Sequence, residues 1–395
     1  MIEFYSDNTM TTRKKKIALL GVTGSIGQSS CAVIDNYSER FETTLVAARS
    51  SISKLAESAA RLNASIAVTT DCSKTAELSA ALPGNIRCAS GMETIIDTVT
   101  SDAVDIVLCA IIGTAGIRPV LAAIEAGKTI ALASKEVMVT SGDLVNAALK
   151  ANPQAKLIPV DSEHSGVFQL LSGRTPEEID TICLTASGGP FRTWDAERIA
   201  NATLADALKH PTWQMGQKIT IDSASMMNKA LELLEAKYLF QRYNAKLDVL
   251  IHPQSAVHAL IEFNDGSILA QCSCPDMKLP IAYALNYPER IAFPGKQLKL
   301  AELKTLEFFA PDRKKFPAFD FADAALAAGG TLPCAMNAAN EVAVERFCRG
   351  EIKFGDIYKI ISAVMDKWHN EAQISLEQLE NADQEARCKA REVTL

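Results

Sequence analysis

Between Lys16 and about Val160, short apolar runs and helix-like segments take turns: Ile17 to Leu20, Thr43 to Ala48, Ile66 to Thr69, Asp105 to Ile112, Thr129 to Ala133 and Leu157 to Val160. Parallel strands cannot be joined by a tight turn, so each gap has to hold a crossover, and a helix fills it best. The spacing predicts an α/β unit over residues 1–160, a doubly wound, Rossmann-like parallel sheet. Sheets of this kind bind ligands beyond the carboxyl ends of their strands, so the loops after these runs are where chemistry is expected.

Past Asp161 the alternation stops. A helical stretch at roughly Ser225 to Phe240 precedes the apolar runs Val249 to Ile251, Val257 to Phe263 and Ser267 to Cys272. Asn264-Asp265-Gly266, between the last two, is a hairpin signal. Residues 161–287 therefore read as a central α+β unit with an antiparallel element. Pro288, Pro294, Pro311 and Pro317, with the basic cluster Arg313, Lys314 and Lys315, mark 288–318 as a linker. Only helical periodicity follows, so 319–395 reads as a small helical bundle of about four segments.

A chain of 395 residues exceeds what one core usually serves, which agrees with this division. Its 48% hydrophobic and 22% charged residues place it far from disorder. A net charge of −7, with both signs interspersed, offers no field to attract a phosphodiester polymer, so nucleic acid is not expected as a partner. No apolar run reaches the length of a membrane span. The opening MIEFYSDNTMTTRKKK lacks the apolar core of a signal peptide, and the ten cysteines are scattered without paired spacing. Together these predict free thiols in a reducing, cytoplasmic compartment.

The first apolar run ends in Gly21-Val22-Thr23-Gly24-Ser25-Ile26-Gly27 and passes straight into a helix. Glycines let a backbone turn sharply against a pyrophosphate, and the free N–H groups of a new helix attract its charge. No Lys-Ser/Thr follows the last glycine, so this is not a Walker loop. Taken alone, it also fits a tight turn with no ligand. The end of the second run, Val46-Ala47-Ala48-Arg49-Ser50-Ser51, lacks the acid that would hold an NAD ribose. Arg49 flanked by hydroxyls suits a 2′-phosphate instead, which favours NADP; a solvated surface arginine is the plainer alternative.

Asp161-Ser162-Glu163-His164 follows the sixth run. In extended backbone, positions i and i+2 point to one side, so Asp161 and Glu163 are expected to converge at the carboxyl end of a strand. Converging carboxylates need a cation, and oxygen-rich ligands indicate Mg²⁺ or Mn²⁺ rather than Zn²⁺. A pair of solvated loop acids is the alternative. In Asp222-Ser223-Ala224-Ser225-Met226-Met227-Asn228-Lys229-Ala230-Leu231-Glu232, Ser223 reads as a helix cap at a strand end, Asn228 and Glu232 share a helical face, and Lys229 adds the charge a phosphomonoester needs. Thr185-Ala186-Ser187-Gly188-Gly189-Pro190 is a second hydroxyl-rich turn able to present N–H groups to phosphate. His210-Pro211-Thr212-Trp213-Gln214-Met215-Gly216 places an imidazole and an indole on a loop, as in a lid, although core packing is the commoner fate of a tryptophan.

GVTGSIG, SKE at 134–136, DSEH at 161–164, TASGGPF at 185–191, HPTWQMG, DSASMMNKALE and HPQSAVH at 252–258 stand in an order and spacing that resemble the 1-deoxy-D-xylulose 5-phosphate reductoisomerase family. The likeness runs from the first strand to Asn337-Ala338-Ala339-Asn340-Glu341. It implies an NADPH-binding domain, a catalytic domain that also forms a homodimer interface, a linker and a C-terminal helical bundle. It also implies isomerisation of 1-deoxy-D-xylulose 5-phosphate to a branched aldehyde phosphate and its reduction to 2-C-methyl-D-erythritol 4-phosphate, a step toward isoprenoids. By the same resemblance Asp161, Glu163 and Glu232 hold the metal, and Ser187, Ser223, Asn228 and Lys229 bind the phosphate with His210 at its edge. Lys135 and Ser162 contact substrate oxygens, with Lys135 catalytic alongside the three acids, and Trp213 and Met215 belong to a closing loop. Cofactor contacts fall on Thr23, Gly24, Ser25, Ile26, Arg49, Ser50, Ser134, Glu136 and Gly216. Ser134, Ala48 and Val22 stand where the family more often has Asn, Gly and Ser.

Two other readings use these residues. One is a metal-dependent phosphosugar lyase or isomerase whose nucleotide domain is structural; NADPH consumption separates it. The other is a non-enzymatic sensor of NADP and a phosphosugar, against which the presence of Asp161, Glu163, Glu232, Lys135 and Lys229 together argues.

Overall fold

A computed structural model describes residues 13–213, 215–372 and 374–395. Most of the N-terminal stretch MIEFYSDNTMTTRKKK, which lacks a signal peptide's apolar core, lies outside them. Seven strands, β1 (Lys15–Leu20), β2 (Phe41–Ala48), β3 (Ile66–Thr69), β4 (Arg87–Ser90), β5 (Ile106–Cys109), β6 (Thr129–Leu132) and β7 (Lys156–Pro159), form one parallel sheet in the order β4-β3-β2-β1-β5-β6-β7. All six expected runs are strands of this doubly wound sheet. The additional strand, β4, is a four-residue edge strand of sequence RCAS with no apolar run to announce it. The order reverses at β1, which pairs with β2 on one side and β5 on the other, so the crevice for a ligand opens at the carboxyl ends of β1 and β5.

The second sheet joins β8 (Ile179–Ala186), β9 (Lys246–Ile251), β10 (Val257–Phe263) and β11 (Ile268–Cys272) in the order β11-β10-β8-β9. β10 and β11 are the expected hairpin, with Gly266 at φ +82° in its turn. β8 and β9 pair in parallel, with helical segments between them. The segment read as a linker is not bare: it holds the short helix Leu300–Leu303, and Phe309 bridges to Ile251 on β9. Four helices, Ala318–Ala328, Leu332–Cys348, Asp356–Met365 and Leu376–Glu392, then follow as expected. None of the described helices is long and apolar enough to cross a membrane.

Two contacts tie the layers together. Helix Lys278–Asn286 turns Ile281, Ala282, Ala284 and Leu285 into the core of the first sheet, and the Lys15 ammonium caps its end through the carbonyls of Leu285, Asn286 and Tyr287. Helix Lys135–Ala151, kinked at Ser141, lies against helix Met227–Leu239 at Gly142, where a Cβ would overlap the Tyr238 ring. This close approach brings Lys135 to Glu232. Gly142→Ala is expected to cost about 1–3 kcal/mol through overpacking and to lower activity by prising the helices apart. A shift in the urea midpoint measures it, and an unchanged midpoint would contradict the packing argument.

Candidate active site

The site begins where strands end. β6 runs into Ser134, and helix Lys135–Ala151 starts with Lys135 and Glu136 buried. β7 stops at Pro159, and after two intervening residues helix Ser162–Leu170 starts with Asp161 as its N-cap, the carboxylate accepting from the Glu163 N–H at 3.4 Å. Asp161 and Glu163 do converge, but not as alternate residues of extended backbone. A capping bond turns the chain into a helix whose first turn carries Glu163 back over Asp161.

The reading of Ser223 as a cap at a strand end also fails. Ser223 lies in the last turn of helix Gln217–Ala224, and helix Met227–Leu239 follows after Met226 at φ +60°. The helical stretch expected at Ser225 to Phe240 is the helix Met227–Leu239, and a second helix, Gln217–Ala224, meets it at a sharp joint. Asn228 and Glu232 share a face of the second, where the Asn228 amide donates to Glu232. After β8, Gly188 and Gly189 take φ of +83° and +65°. A Cβ on Gly189 would stand 2.8 Å from the Ser223 carbonyl, so glycine there is what lets the Ser187 turn close onto Ser223.

Asp161, Glu163 and Glu232 each offer an oxygen within 4.8 Å of the others. Two ammonium groups lie among them. Lys135 Nζ meets Asp161 Oδ2 at 2.9 Å, Glu232 Oε1 at 3.1 Å and Asn228 Oδ1 at 2.6 Å. Lys229 Nζ donates to Glu163 Oε1 at 2.8 Å, to Glu232 and to the Thr185 carbonyl. Read from sequence as a phosphate-facing charge, Lys229 is engaged here by the acids. Burial opposes both charges, yet the neighbouring carboxylates prevail and hold both lysines above their ordinary range. Burial likewise works against ionised Asp161, but Lys135 and His164 keep it well below the usual carboxylate value. Burial and the nearby Glu163 push Glu232 up. His164 Nε2 faces the Glu232 carbonyl at 2.9 Å, while Nδ1 faces Asp161 at 3.3 Å and Glu235 at 3.5 Å. Despite burial, Glu235 and Asp161 raise this imidazole to about 9, so it is a cation that steadies Asp161.

His210 accepts from the backbone N–H of Trp213 at 2.9 Å and of Thr212 at 3.3 Å through Nδ1. Its Nε2 must then carry the proton and donate to Ser187 Oγ, 3.0 Å away. Burial lowers His210 to about 4, and burial also lowers His258, which faces the Trp213 ring, to about 4. Between the unfolded value near 6.5 and about 4, the unfolded chain takes up protons that these folded imidazoles refuse. Their contribution to stability is therefore complete above about pH 6.5 and declines as pH falls to about 4. Both ring resonances are expected to stay fixed by NMR from pH 8 to 5.5; a midpoint near 6.5 for either would overturn the neutral assignment.

One cavity joins these groups to the glycine loop. Its wall takes in Ser25, Ile26, Lys135, Asp161, Ser162, Glu163, Ser187, His210, Trp213, Met215, Gly216, Ser223, Asn228, Lys229 and Glu232. Thr23, Gly24, Arg49, Ser50, Ser134 and Glu136 lie outside that wall: Arg49 and Ser50 are exposed at the carboxyl end of β2, and Glu136 turns toward Lys218 at 3.2 Å. The wall also includes Thr185, Ser255, His258, Ile219 and Met277, which carried no assignment from sequence. His258 sits in the quoted HPQSAVH string, so that motif was its available signal. Gly21, at φ +87°, has no room for a Cβ against the Ala110 carbonyl, which seats the loop at the switch point.

A doubly wound sheet whose glycine loop opens onto a carboxylate–lysine cluster defines a nucleotide-binding α/β protein with a cation site beside its loop. Three sequence profiles match along the chain: "1-deoxy-D-xylulose 5-phosphate reductoisomerase" over residues 17–142, the C-terminal domain of that enzyme over 157–240, and "DXP reductoisomerase C-terminal domain" over 272–389. The 1-deoxy-D-xylulose 5-phosphate reductoisomerase of Rhodospirillum centenum is 44% identical over 380 residues, covering 96% of this chain and 94% of the relative. That of Geotalea daltonii is 45% identical over 384 residues, covering 96% and 99%. The solved Zymomonas mobilis enzyme in complex with NADPH superposes with a TM-score of 0.89 at 40% identity, covering 96% of this chain and 98% of that one. A reductoisomerase solved with NADPH, fosmidomycin and magnesium gives 0.89 at 39% identity, covering 95% and 97%. The chain belongs to the 1-deoxy-D-xylulose 5-phosphate reductoisomerase family.

Proposed function

We propose that the chain isomerises 1-deoxy-D-xylulose 5-phosphate and reduces the product with NADPH to 2-C-methyl-D-erythritol 4-phosphate, using Mg²⁺ or Mn²⁺. One observation carries this reading beyond family membership: a single cavity runs from Ser25 and Ile26 on the glycine loop to Asp161, Glu163 and Glu232. The donor set fits a hard divalent cation, being three carboxylates and no thiol, and the upward push on Glu232 from burial and Glu163 is one that a further cation would relieve. The loop fits a dinucleotide, because helix Ser25–Asn36 starts at Gly24 with no side chain capping its N–H groups. A cation held by the three acids supplies Lewis-acid polarisation of adjacent carbonyl and hydroxyl oxygens, and NADPH supplies the hydride.

The chain's own groups do the rest. Lys135 holds a proton at Nζ beside the acids and donates it as a hydrogen bond to oxygens whose charge changes during rearrangement. Ser162 lies within the same wall and orients the substrate hydroxyls. Ser187, Ser223, Asn228 and Lys229 receive the phosphate, with His210 donating to Ser187 at its edge. Trp213 and Met215 cover the cavity and exclude water from a reactive carbonyl. Arg49 and Ser50 take the 2′-phosphate, and Thr23, Ser134, Glu136 and Gly216 border the cofactor.

On this reading residues 1–160 bind cofactor, 161–287 carry catalysis and dimerisation, 288–318 link, and 319–395 form the helical unit. A homodimer is supported by β11, an edge strand with Ile268 56% and Leu269 41% exposed. Sedimentation of twice the chain mass would bear it out. All ten cysteines are free thiols, which supports the cytoplasm.

The deciding assay is loss of NADPH absorbance on adding 1-deoxy-D-xylulose 5-phosphate, run with Mg²⁺, with Mn²⁺, with chelator, and with NADH in place of NADPH. Metal-dependent oxidation selective for NADPH is expected. A folded, metal-loaded protein that oxidises none would return the lyase and sensor readings.

A further inference from the structure

Lys218 is a part-buried cation, its side chain 25% exposed, that the cavity does not use. Its ammonium lies 3.0 Å from Asp222 Oδ2, 3.2 Å from Glu136 Oε1 and 4.0 Å from Glu341 Oε1, and none of these three carboxylates touches the cavity wall. Each leads somewhere different. Glu136 follows Lys135 on the helix after β6 and also accepts from Ser134 Oγ at 3.2 Å. Asp222 accepts from the Asn340 amide at 2.9 Å, from helix Leu332–Cys348 of the C-terminal bundle. Glu341, on that same helix, accepts from Arg387 at 2.7 Å, and Arg387 in turn forms a two-pronged pair with Asp383 on the last helix. Glu341 also lies against Gly113, at φ +74° in the loop after β5.

A merely local role would be met by the Lys218–Asp222 pair, which are one turn apart on their helix. The further contacts join four separate parts of the chain: the loop after β5, the helix after β6, the helix that follows the Trp213 loop, and the C-terminal bundle. The first two stand at the carboxyl ends of the strands beyond the switch point, where a doubly wound sheet seats the far half of a dinucleotide. Two cations, Lys218 and Arg387, are shared among four carboxylates, so removing either leaves buried negative charge that must rearrange.

We infer that Lys218 is a positioning residue for the cofactor half of the pocket, fixing Glu136 and Ser134 and fastening them to the C-terminal bundle through Asn340, Glu341 and Arg387. The bundle is then part of the nucleotide site without touching the nucleotide. This rests on the NADPH reading above. It assigns Lys218 no contact with substrate, metal or hydride.

The test is a fluorescence titration of NADPH into the full chain with Mg²⁺, alongside titration of a phosphonate hydroxamate that fills the phosphate and metal sites. Lys218→Met is expected to weaken NADPH by about tenfold, because it leaves the buried Glu136 and Asp222 carboxylates without their cation, and the phosphonate by less than about threefold. Lys218→Arg should recover most of the loss. Glu341→Gln should weaken NADPH in the same direction, by about threefold or more, although it is far along the chain from the glycine loop. If Lys218→Met does not fold, Lys218→Arg and Glu341→Gln carry the test, since both keep volume. Unchanged NADPH affinity in Glu341→Gln and in a folded Lys218→Met overturns the inference, as do equal losses for both ligands. Wild-type protein that binds no NADPH would instead overturn the functional reading.

Discussion

Replacing Glu232 by Gln is expected to lower kcat/KM by about 10³-fold while NADPH affinity stays within about threefold of wild type. Glu232 is 1% exposed and meets Lys135, Lys229 and Asn228 at once. Gln matches it in volume, so the packing of helix Met227–Leu239 survives. What changes is charge: one of three carboxylates becomes an amide, and its N–H₂ group confronts an ammonium that expects an acceptor. Asp161 and Glu163 are then only balanced by Lys135 and Lys229, with nothing left over to attract a divalent cation. The glycine loop, Thr23 to Ile26, hangs from β1 and shares no bond with Glu232. Steady-state kinetics beside an NADPH titration decides it. Comparable losses in both would mean that Glu232 shapes the whole pocket rather than the metal half.

How much of this was legible beforehand depends on how far apart the partners lie in sequence. Each apolar run of the first sheet was visible because a strand buried on both faces has no other way to look. The glycine loop was visible because Gly21 stands where a side chain has no room. Asp161 and Glu163 could be paired with a metal from their spacing, but Glu232 joined them only through the family resemblance, since it lies on a distant helix. Local geometry misled in two places. Asp161 captures the Glu163 N–H and starts a helix, which the capping preference of aspartate could have signalled. Ile219 and Ile221 alternate like a strand, yet Thr220 Oγ1 bonds back to the Gly216 carbonyl at 2.8 Å inside a helix, with Ile221 buried by tertiary packing. β4 carried no apolar signal because it is an edge strand. The Lys218 network was illegible, for its bonds reach across 82 residues to Glu136, and Asp222 reaches across 118 to Asn340.

Lys229→Met should divide metal from substrate. In the absence of ligands, and with the His164 cation set against Glu235, three carboxylates face two ammonium groups, a net charge of −1, and a divalent cation would take the cluster to +1. That excess is unfavourable in a buried site until a phosphate dianion arrives, so metal and phosphosugar are expected to bind with positive coupling. Removing the Lys229 charge removes the repulsion. At about 5 Å even the dielectric of bulk water makes this worth about tenfold, so Mn²⁺ should bind the variant more tightly than wild type. The phosphosugar loses a buried charged partner, and kcat/KM should fall by about 10²–10³-fold. Mn²⁺ titration followed by electron paramagnetic resonance, together with steady-state rates, reads both quantities. Weaker Mn²⁺ binding in the variant would mean that Lys229 orders the acids more than it repels the metal. Tighter Mn²⁺ with undiminished kcat/KM would remove Lys229 from the phosphate site and leave that charge to other groups.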